Sequence, residues 1–306
     1  MFPHAARKDP FHLYSIVAAF LLLCLSVASH AQDTGAEQEI TAAEQEIQAA
    51  AEAMWAAAVQ GPKNVALDGR ASIDLPEKFA FAPKAEAGRF MRAIGNRVSN
   101  DFIGLILGEQ LSGFVVVAFS PEGYIKDDDA KDWNVDELLQ SLKDGTEQSN
   151  KERVKRGLPE IAVLGWIEKP AYDAGLHHLA WSISSQSKNA PEAEKQGVNY
   201  NTYLLGREGY LSLNLVTDVD AVEGEKTTAK QLLAAVSFNN GQRYEDFNAA
   251  TDRVSEYGLA ALIGGLAAKK LGLLAVIGVF LLKAWKIVLI GLLAVAAIAK
   301  RVFRRG

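Results

Sequence analysis

The chain has 306 residues, 49% of them hydrophobic, and a formal net charge of −5 at pH 7. Hydrophobic segments occupy both ends, and subtracting them leaves length for one domain. With eight positive and no negative charges after residue 268, and a net +1 in the first nine residues, residues 10–268 carry −14; that acidity excludes DNA and RNA as partners, because their binding proteins need a basic footprint.

The N-terminus carries Arg7 and Lys8, an apolar run over 13–27, and Ser29-His30-Ala31 with small residues three and one positions before a cut after Ala31. This order of a basic region, an apolar region and a small-residue site is that of a secretory signal peptide. As an uncleaved anchor the run is too short, since a span takes about 20 apolar residues. Cys24, the single cysteine, lies within this run behind Leu21-Leu22-Leu23, without the small residue a lipoprotein signal places there. Cleavage would leave a mature chain with no thiol or disulfide chemistry.

Residues 36–40 and 43–47 both read Ala-Glu-Gln-Glu-Ile, and Ile40, Ile47 and Met54 form a heptad seam. The segment 36–59 is predicted helical, ended by Gly61-Pro62. Such a seam suits either an oligomerising coiled coil, or an amphipathic helix laid on the domain or a partly frayed linker; with only about three heptads and few large apolar residues, the latter reading is expected. From Asn64 the pattern changes to short strands. Segments 65–67 and 73–75 pair around Asp68-Gly69, and Pro83 opens a helix that buries Phe90, Met91 and Ile94. The continuous apolar runs 102–107 and 114–119 read as central strands covered on both faces. Asn134-Val135-Asp136-Glu137 starts a helix to about Asn150 with Val135, Leu138, Leu139 and Leu142 in one stripe.

Strands follow over 162–168, 176–184, 198–206 and 210–217, with Gly206-Arg207-Glu208-Gly209 as a tight hairpin, then a helix over 229–236 and a turn at Asn239-Asn240-Gly241. Strands in series with helices at separate points predict an α+β fold, an antiparallel sheet with flanking helices on one side. To it are added an N-terminal signal peptide and a C-terminal transmembrane helix. The tail over 259–299 is nearly all Leu, Ala, Ile, Val and Gly, broken by Lys269-Lys270 and by Lys283 and Lys286, and it closes on Lys300, Arg301, Arg304 and Arg305. Basic residues beyond a span stay cytoplasmic, so one outside-to-inside crossing is expected, with a two-span hairpin second. Placing the span at 280–299 sets both mid-tail lysines and Trp285 near the outer interface, which avoids the cost of about 2.5–3.5 kcal/mol for a central lysine. The expected organisation is a signal peptide over 1–31, a helical linker over 32–61, an extracytoplasmic domain over 62–258 and a membrane segment over 259–306 with a cytoplasmic basic end.

Chemistry-bearing patterns are sparse. Asp127-Asp128-Asp129 with Asp132 lacks the spacing of a calcium loop and reads as a solvated acidic loop before a helix. His177 shares a strand face with Leu179, Trp181 and Ile183 and reads as a satisfied histidine at the core margin; His178, near Tyr172 and Asp173, is the better acid/base candidate. Nucleophile-elbow, Walker, dinucleotide and zincin motifs are absent, so no catalytic residue, cofactor or metal is expected. The alternation Tyr210, Ser212, Asn214 on one strand and Asn199, Asn201, Tyr203 on its neighbour outlines an uncharged polar face, joined by His178, Ser182 and Ser184 if the registers allow, suited to a neutral polar ligand such as a glycan or extended peptide.

Gly165-Trp166, Pro170-Ala171-Tyr172-Asp173, Asn199-Tyr200-Asn201, Leu205-Gly206-Arg207-Glu208-Gly209, Gly241-Gln242-Arg243-Tyr244-Glu245-Asp246-Phe247 and Tyr257-Gly258-Leu259-Ala260-Ala261-Leu262 resemble the bacterial family called DUF2167, over nearly all of residues 60–306. The resemblance implies a signal peptide and a C-terminal membrane segment and supplies no catalytic residues. The order of elements is also similar to the Mog1/PsbP-like fold. The function expected is that of a cell-envelope protein, single-pass in the plasma membrane with its domain on the periplasmic side. It would act as a binding or assembly module rather than an enzyme, with membrane lipid, envelope proteins or a neutral polar ligand as partners and oligomerisation left open. The alternative is an envelope hydrolase using Asp173 and His178, with Arg207 in support; a tail that itself assembles in the bilayer is a third reading.

Overall fold

The computed structural model describes residues 34–264 other than 132, 156 and 192–195, with side chains from residue 42. The expected signal peptide and membrane span lie outside the described residues, and no helix among the described residues is long and apolar enough to cross a membrane. The chain divides into one unit up to Ala42 and a second from Ala43; apart from the first residues of α1, all that follows concerns the second.

In chain order the elements are α1 (Thr34–Ala57), β1 (Val59–Gln60), β2 (Lys63–Leu67), β3 (Ala71–Leu75), β4 (Phe79–Pro83), α2 (Lys84–Ala93), β5 (Phe102–Gly108), β6 (Phe114–Ser120), α3 (Val135–Lys155), β7 (Ile161–Asp173), β8 (His178–Ser187), β9 (Gly197–Leu205), β10 (Tyr210–Asp218), α4 (Val222–Ala234), β11 (Val236–Phe238) and α5 (Ala260–Gly264). Eight strands form one antiparallel sheet in the order β1-β4-β5-β6-β10-β9-β8-β7, and β11-β3-β2 form a second. The architecture is mixed α and β with a large antiparallel sheet, as the serial strands imply. Pro170 and three register shifts fall in β7, where an edge strand tolerates a missing donor and irregular pairing.

The helices cover both faces of the large sheet, not one. The inner face, with Val115, Val117, Tyr200, Leu211, Leu213 and Leu215, packs on Leu232 and Leu233 of α4 and on Ile73 and Leu75 of the small sheet. The outer face is covered at its two sides. Over β4–β6, Ile47 and Met54 of α1 and Phe90 and Met91 of α2 close on Leu105, Leu107 and Phe114. Toward β8, Leu138 and Leu142 of α3 and Leu262 and Ile263 of α5 close on Leu179, Trp181 and Tyr203. Central strands that are apolar on both sides need cover on both, which a one-sided helix layer would not give.

The part of α1 within this unit is laid on the domain, one of the two forms expected for it: Ile47 and Met54 are buried and Glu46 meets Arg89 of α2 at 2.9 Å. Pro83 is the N-cap of α2, and Asn134 Oδ1 accepts from the Asp136 and Glu137 N–H groups at 3.2 and 3.3 Å to open α3. Two readings change. β4 escapes the sequence because Phe79, Ala80, Phe81 and Ala82 are all buried, so no alternation marks it. The helix expected over 229–236 is α4, which begins at Val222 and stops at Ala234, and Val236 belongs to β11.

Candidate functional site

The polar face divides by register. Asn201 lies opposite Asn214, Tyr203 opposite Ser212 and Asn199 opposite Val216, so these side chains share the outer face. On the other side of β9, Asn201 pairs with Trp181 and His178 pairs with Leu204. His178, Ser182 and Ser184 therefore face inward, opposite to the asparagines, and the expected union of the two sets does not form. Odd-numbered residues of β8 meet odd-numbered residues of β9, whereas odd residues of β9 meet even residues of β10; the connection between strands and the pairing of their buried faces together fix such parities.

What remains is a strip. Between the α1/α2 packing and the α3/α5 packing, Val116, Ala118, Asn199, Ser212 and Asn214 keep partial exposure. Asn199 Nδ2 donates to Asn214 Oδ1 at 3.4 Å and Asn201 Nδ2 to the Asn199 carbonyl at 3.2 Å. Asn201 is 2% exposed and Tyr203 is buried beside Trp181, with ring centroids 6.5 Å apart. Both lie on the strip's own face but are covered, Tyr203 within the packing under α3 and α5. Tyr210 closes one end edge-on to Tyr203 at 5.5 Å, its hydroxyl pKa pushed up to about 12 by burial. Asn199, Ser212 and Asn214 are the groups of the strip that can meet a ligand.

The acid/base candidates go to separate tasks. Asp173 Oδ1 accepts from the Gly175 and Leu176 N–H groups at 2.8 and 3.1 Å and so builds the β7–β8 turn. His178 opens β8, and burial holds its pKa below the ordinary value while the Asp173 charge works the other way. Arg207 grips Asp252 with two bonds of 2.6 and 2.8 Å and donates to the Gly241 carbonyl, tying the β9–β10 hairpin to a later loop. The pairing, with help from the Asn248 N–H, pulls the Asp252 carboxyl well below the usual carboxylate range.

Sequence distance concealed a cluster where β7 ends and β8 begins. The Tyr172 hydroxyl donates to Asp127 Oδ2 at 2.8 Å and lies 3.1 Å from His177 Nδ1. The His177 ring rests 4.1 Å from Tyr244, which stacks on Tyr124 at 4.4 Å, and Tyr124 stacks on Phe247 at 3.8 Å. His177 is thus satisfied as expected, though from a turn residue with φ of 54° rather than from the strand. Burial, then the neighbouring Asp127, pushes the Tyr172 hydroxyl pKa up. The acidic run is not simply solvated. Asp127 serves Tyr172, and Asp129 accepts from the Leu259 and Ala260 N–H groups at 3.1 and 3.0 Å; Asp128 is exposed. Among the described residues no three His, Cys, Asp or Glu side chains stand close enough to hold a metal ion.

Pro170-Ala171-Tyr172-Asp173, the 206–209 hairpin, 241–247 and 257–262 all meet at this end of the sheet: Gly206 bridges Arg243, Arg70 joins Glu208 at 2.5 Å and Gln242 at 3.2 Å, and Tyr172 reaches Tyr244 through His177. The family model described as DUF2167, protein of unknown function, matches residues 59–294. The chain belongs to this family. Within this DUF2167 chain the matched stretch begins at β1 and takes in every element after it. No curated protein matches. Among solved structures, cyanobacterial PsbP (CyanoP) from Synechocystis sp. PCC 6803 is similar with a TM-score of 0.35 and 8% identity, covering 60% of this chain and 91% of that chain.

Proposed function

We propose that this protein is a tethered binding module of the cell envelope, exported by residues 1–31, held in the plasma membrane by its C-terminal tail, and carrying its domain on the outer side. The tether rests on the apolar stretch 259–299 and the terminal cluster Lys300, Arg301, Arg304 and Arg305. The binding role rests on one observation, the strip of uncharged hydrogen-bonding groups at Asn199, Ser212 and Asn214 on a sheet face otherwise closed by helices. A neutral polar ligand, glycan or extended peptide, suits it, because amides and hydroxyls supply both donors and acceptors without charge. The hydrolase alternative has less behind it, since Asp173 is engaged by the turn and Arg207 by Asp252.

Reporter fusions test the tether. A periplasm-active reporter should work after Tyr257 and fail after Gly306, and a cytoplasm-active one should do the reverse; outside signals from both points would make the tail a hairpin. N-terminal sequencing of the membrane-bound form should find Gln32. For the strip, Asn199→Ala with Asn214→Ala should abolish retention of neutral glycans or peptides while leaving unfolding unchanged. Undiminished retention would reduce the strip to an ordinary solvated sheet face.

A further inference from the structure

The apolar C-terminal stretch does not begin at the domain's edge. Leu259, Ala261, Leu262 and Ile263 are core residues. Asp129 holds the Leu259 and Ala260 N–H groups, and a Cβ at Gly258 would come to 2.5 Å from Asp129 Oδ2, so the glycine leaves room for the carboxylate where it stands. At Gly264 the chain lies against Leu138 and Ser141, in the first two turns of α3. The point from which residues 265–299 continue is therefore fixed, and it lies beside the loops that gather at this end of the sheet.

Those loops have the composition of a membrane interface. Leu176, in the β7–β8 turn, is 58% exposed, and Val254, bridged to Tyr124, is 40% exposed. Tyr124, Phe247 and Tyr257 are half-buried between them and the core, and Lys126, Lys131, Arg243 and Arg253 are exposed around them. Aliphatic tips, amphipathic tyrosines and long cations are the groups that settle at the headgroup level. The other exposed large hydrophobics among the described residues, Val154 and Leu164, stand apart. Val154 is about 20 Å further along α3 than Ser141 at the helical rise, and Leu164 is about 30 Å up β7 from Asp173 at the strand rise.

We propose that this loop end is a lipid-contacting surface: the domain rests on the outer leaflet with Leu176 and Val254 at the acyl boundary and the tyrosines at headgroup depth. The proposal rests on the tether reading and adds the orientation. Exposed Asp128, Asp173, Glu208 and Glu245 lie among the cations, so the contact is apolar in origin and does not need anionic lipid.

The test uses the mature chain from Gln32, which has no cysteine of its own, with single substitutions Leu176→Cys, Val254→Cys, Val154→Cys and Leu164→Cys, each labelled with one polarity-sensitive fluorophore and reconstituted into phosphatidylcholine vesicles. Emission from positions 176 and 254 should shift to the blue on reconstitution and be quenched by a lipid carrying a shallow quencher, with little change at high salt. Positions 154 and 164 should show neither effect. Shifts at 154 and 164 instead, or at none of the four in protein that still floats with the vesicles, overturn the orientation while leaving the tether standing. Protein that fails to float removes the tether and the orientation together.

Discussion

The two faces of β9 and β10 come from the same eighteen-odd residues, read alternately, and they differ in what covers them. Val198, Tyr200, Leu211, Leu213 and Leu215 point inward beneath α4 and the small sheet. Asn199, Asn201, Ser212 and Asn214 point outward. The outer face is not polar throughout: Phe114 and Val216 lie under α1 and α2, and Leu179 and Trp181 under α3 and α5. On the outer face the large apolar groups lie where a helix removes water, and Asn199, Ser212 and Asn214 lie in the gap, where water or a ligand satisfies them. Of the polar groups that are covered, Asn201, Ser182 and Thr202 each donate to a backbone carbonyl instead.

The sharpest way to break this contrast is to substitute neighbours on one strand. Leu213→Ala should lower the unfolding free energy by about 2–5 kcal/mol, the usual cost of a core cavity, and Asn214→Ala should change it by less than about 0.5 kcal/mol, as at a surface position. Denaturant titration of the detergent-solubilised chain, followed by tryptophan fluorescence, measures both. Equal losses would mean that the strip is core and not a gap.

A smaller effect distinguishes the faces through His178. Because burial lowers its pKa, the folded state prefers the neutral ring. Its contribution is complete above the ordinary value of 6.5 and is lost as pH falls through it toward the lower folded value. A His178→Gln chain should therefore lose less stability than the wild type between neutral and mildly acidic pH, and NMR should place the His178 titration below 6.5. A titration at or above that value would return His178 to the solvated side.

The smallest effect lies at the loop end, where the Arg207–Asp252 pair adds to the apolar packing of Tyr244 and Leu259. Asp252 is depressed by Arg207, so the stability it contributes is present above the ordinary carboxylate value of 3.8 and disappears as pH falls below it. Asp252→Asn should be less stable than the wild type at neutral pH, and the two melting temperatures should converge in strong acid. A gap that persists there would assign the loss to packing.

Much of this architecture is legible in the residues. The heptad seam through Ile47 and Met54, the apolar runs of β5 and β6, the proline that opens α2 and the asparagine that opens α3 are local signals, and each is found where periodicity or capping puts it. The polar alternation on β9 and β10 is likewise written in the chain, because side-chain direction has a period of two. β4 and β11 are not legible, one buried all round and the other only three residues long.

Tertiary structure alone decided the rest. Whether His178 joins the asparagines depends on a one-residue parity in the β8–β9 pairing, which no single strand encodes. The Tyr172–Asp127 bond spans 45 positions, and the Asp129 cap on Leu259 spans 130. Such partners meet only after the sheet has brought its strand ends together, so the hydrogen-bonding capacity of each residue is a property of the sequence, while the choice of partner is a property of the fold.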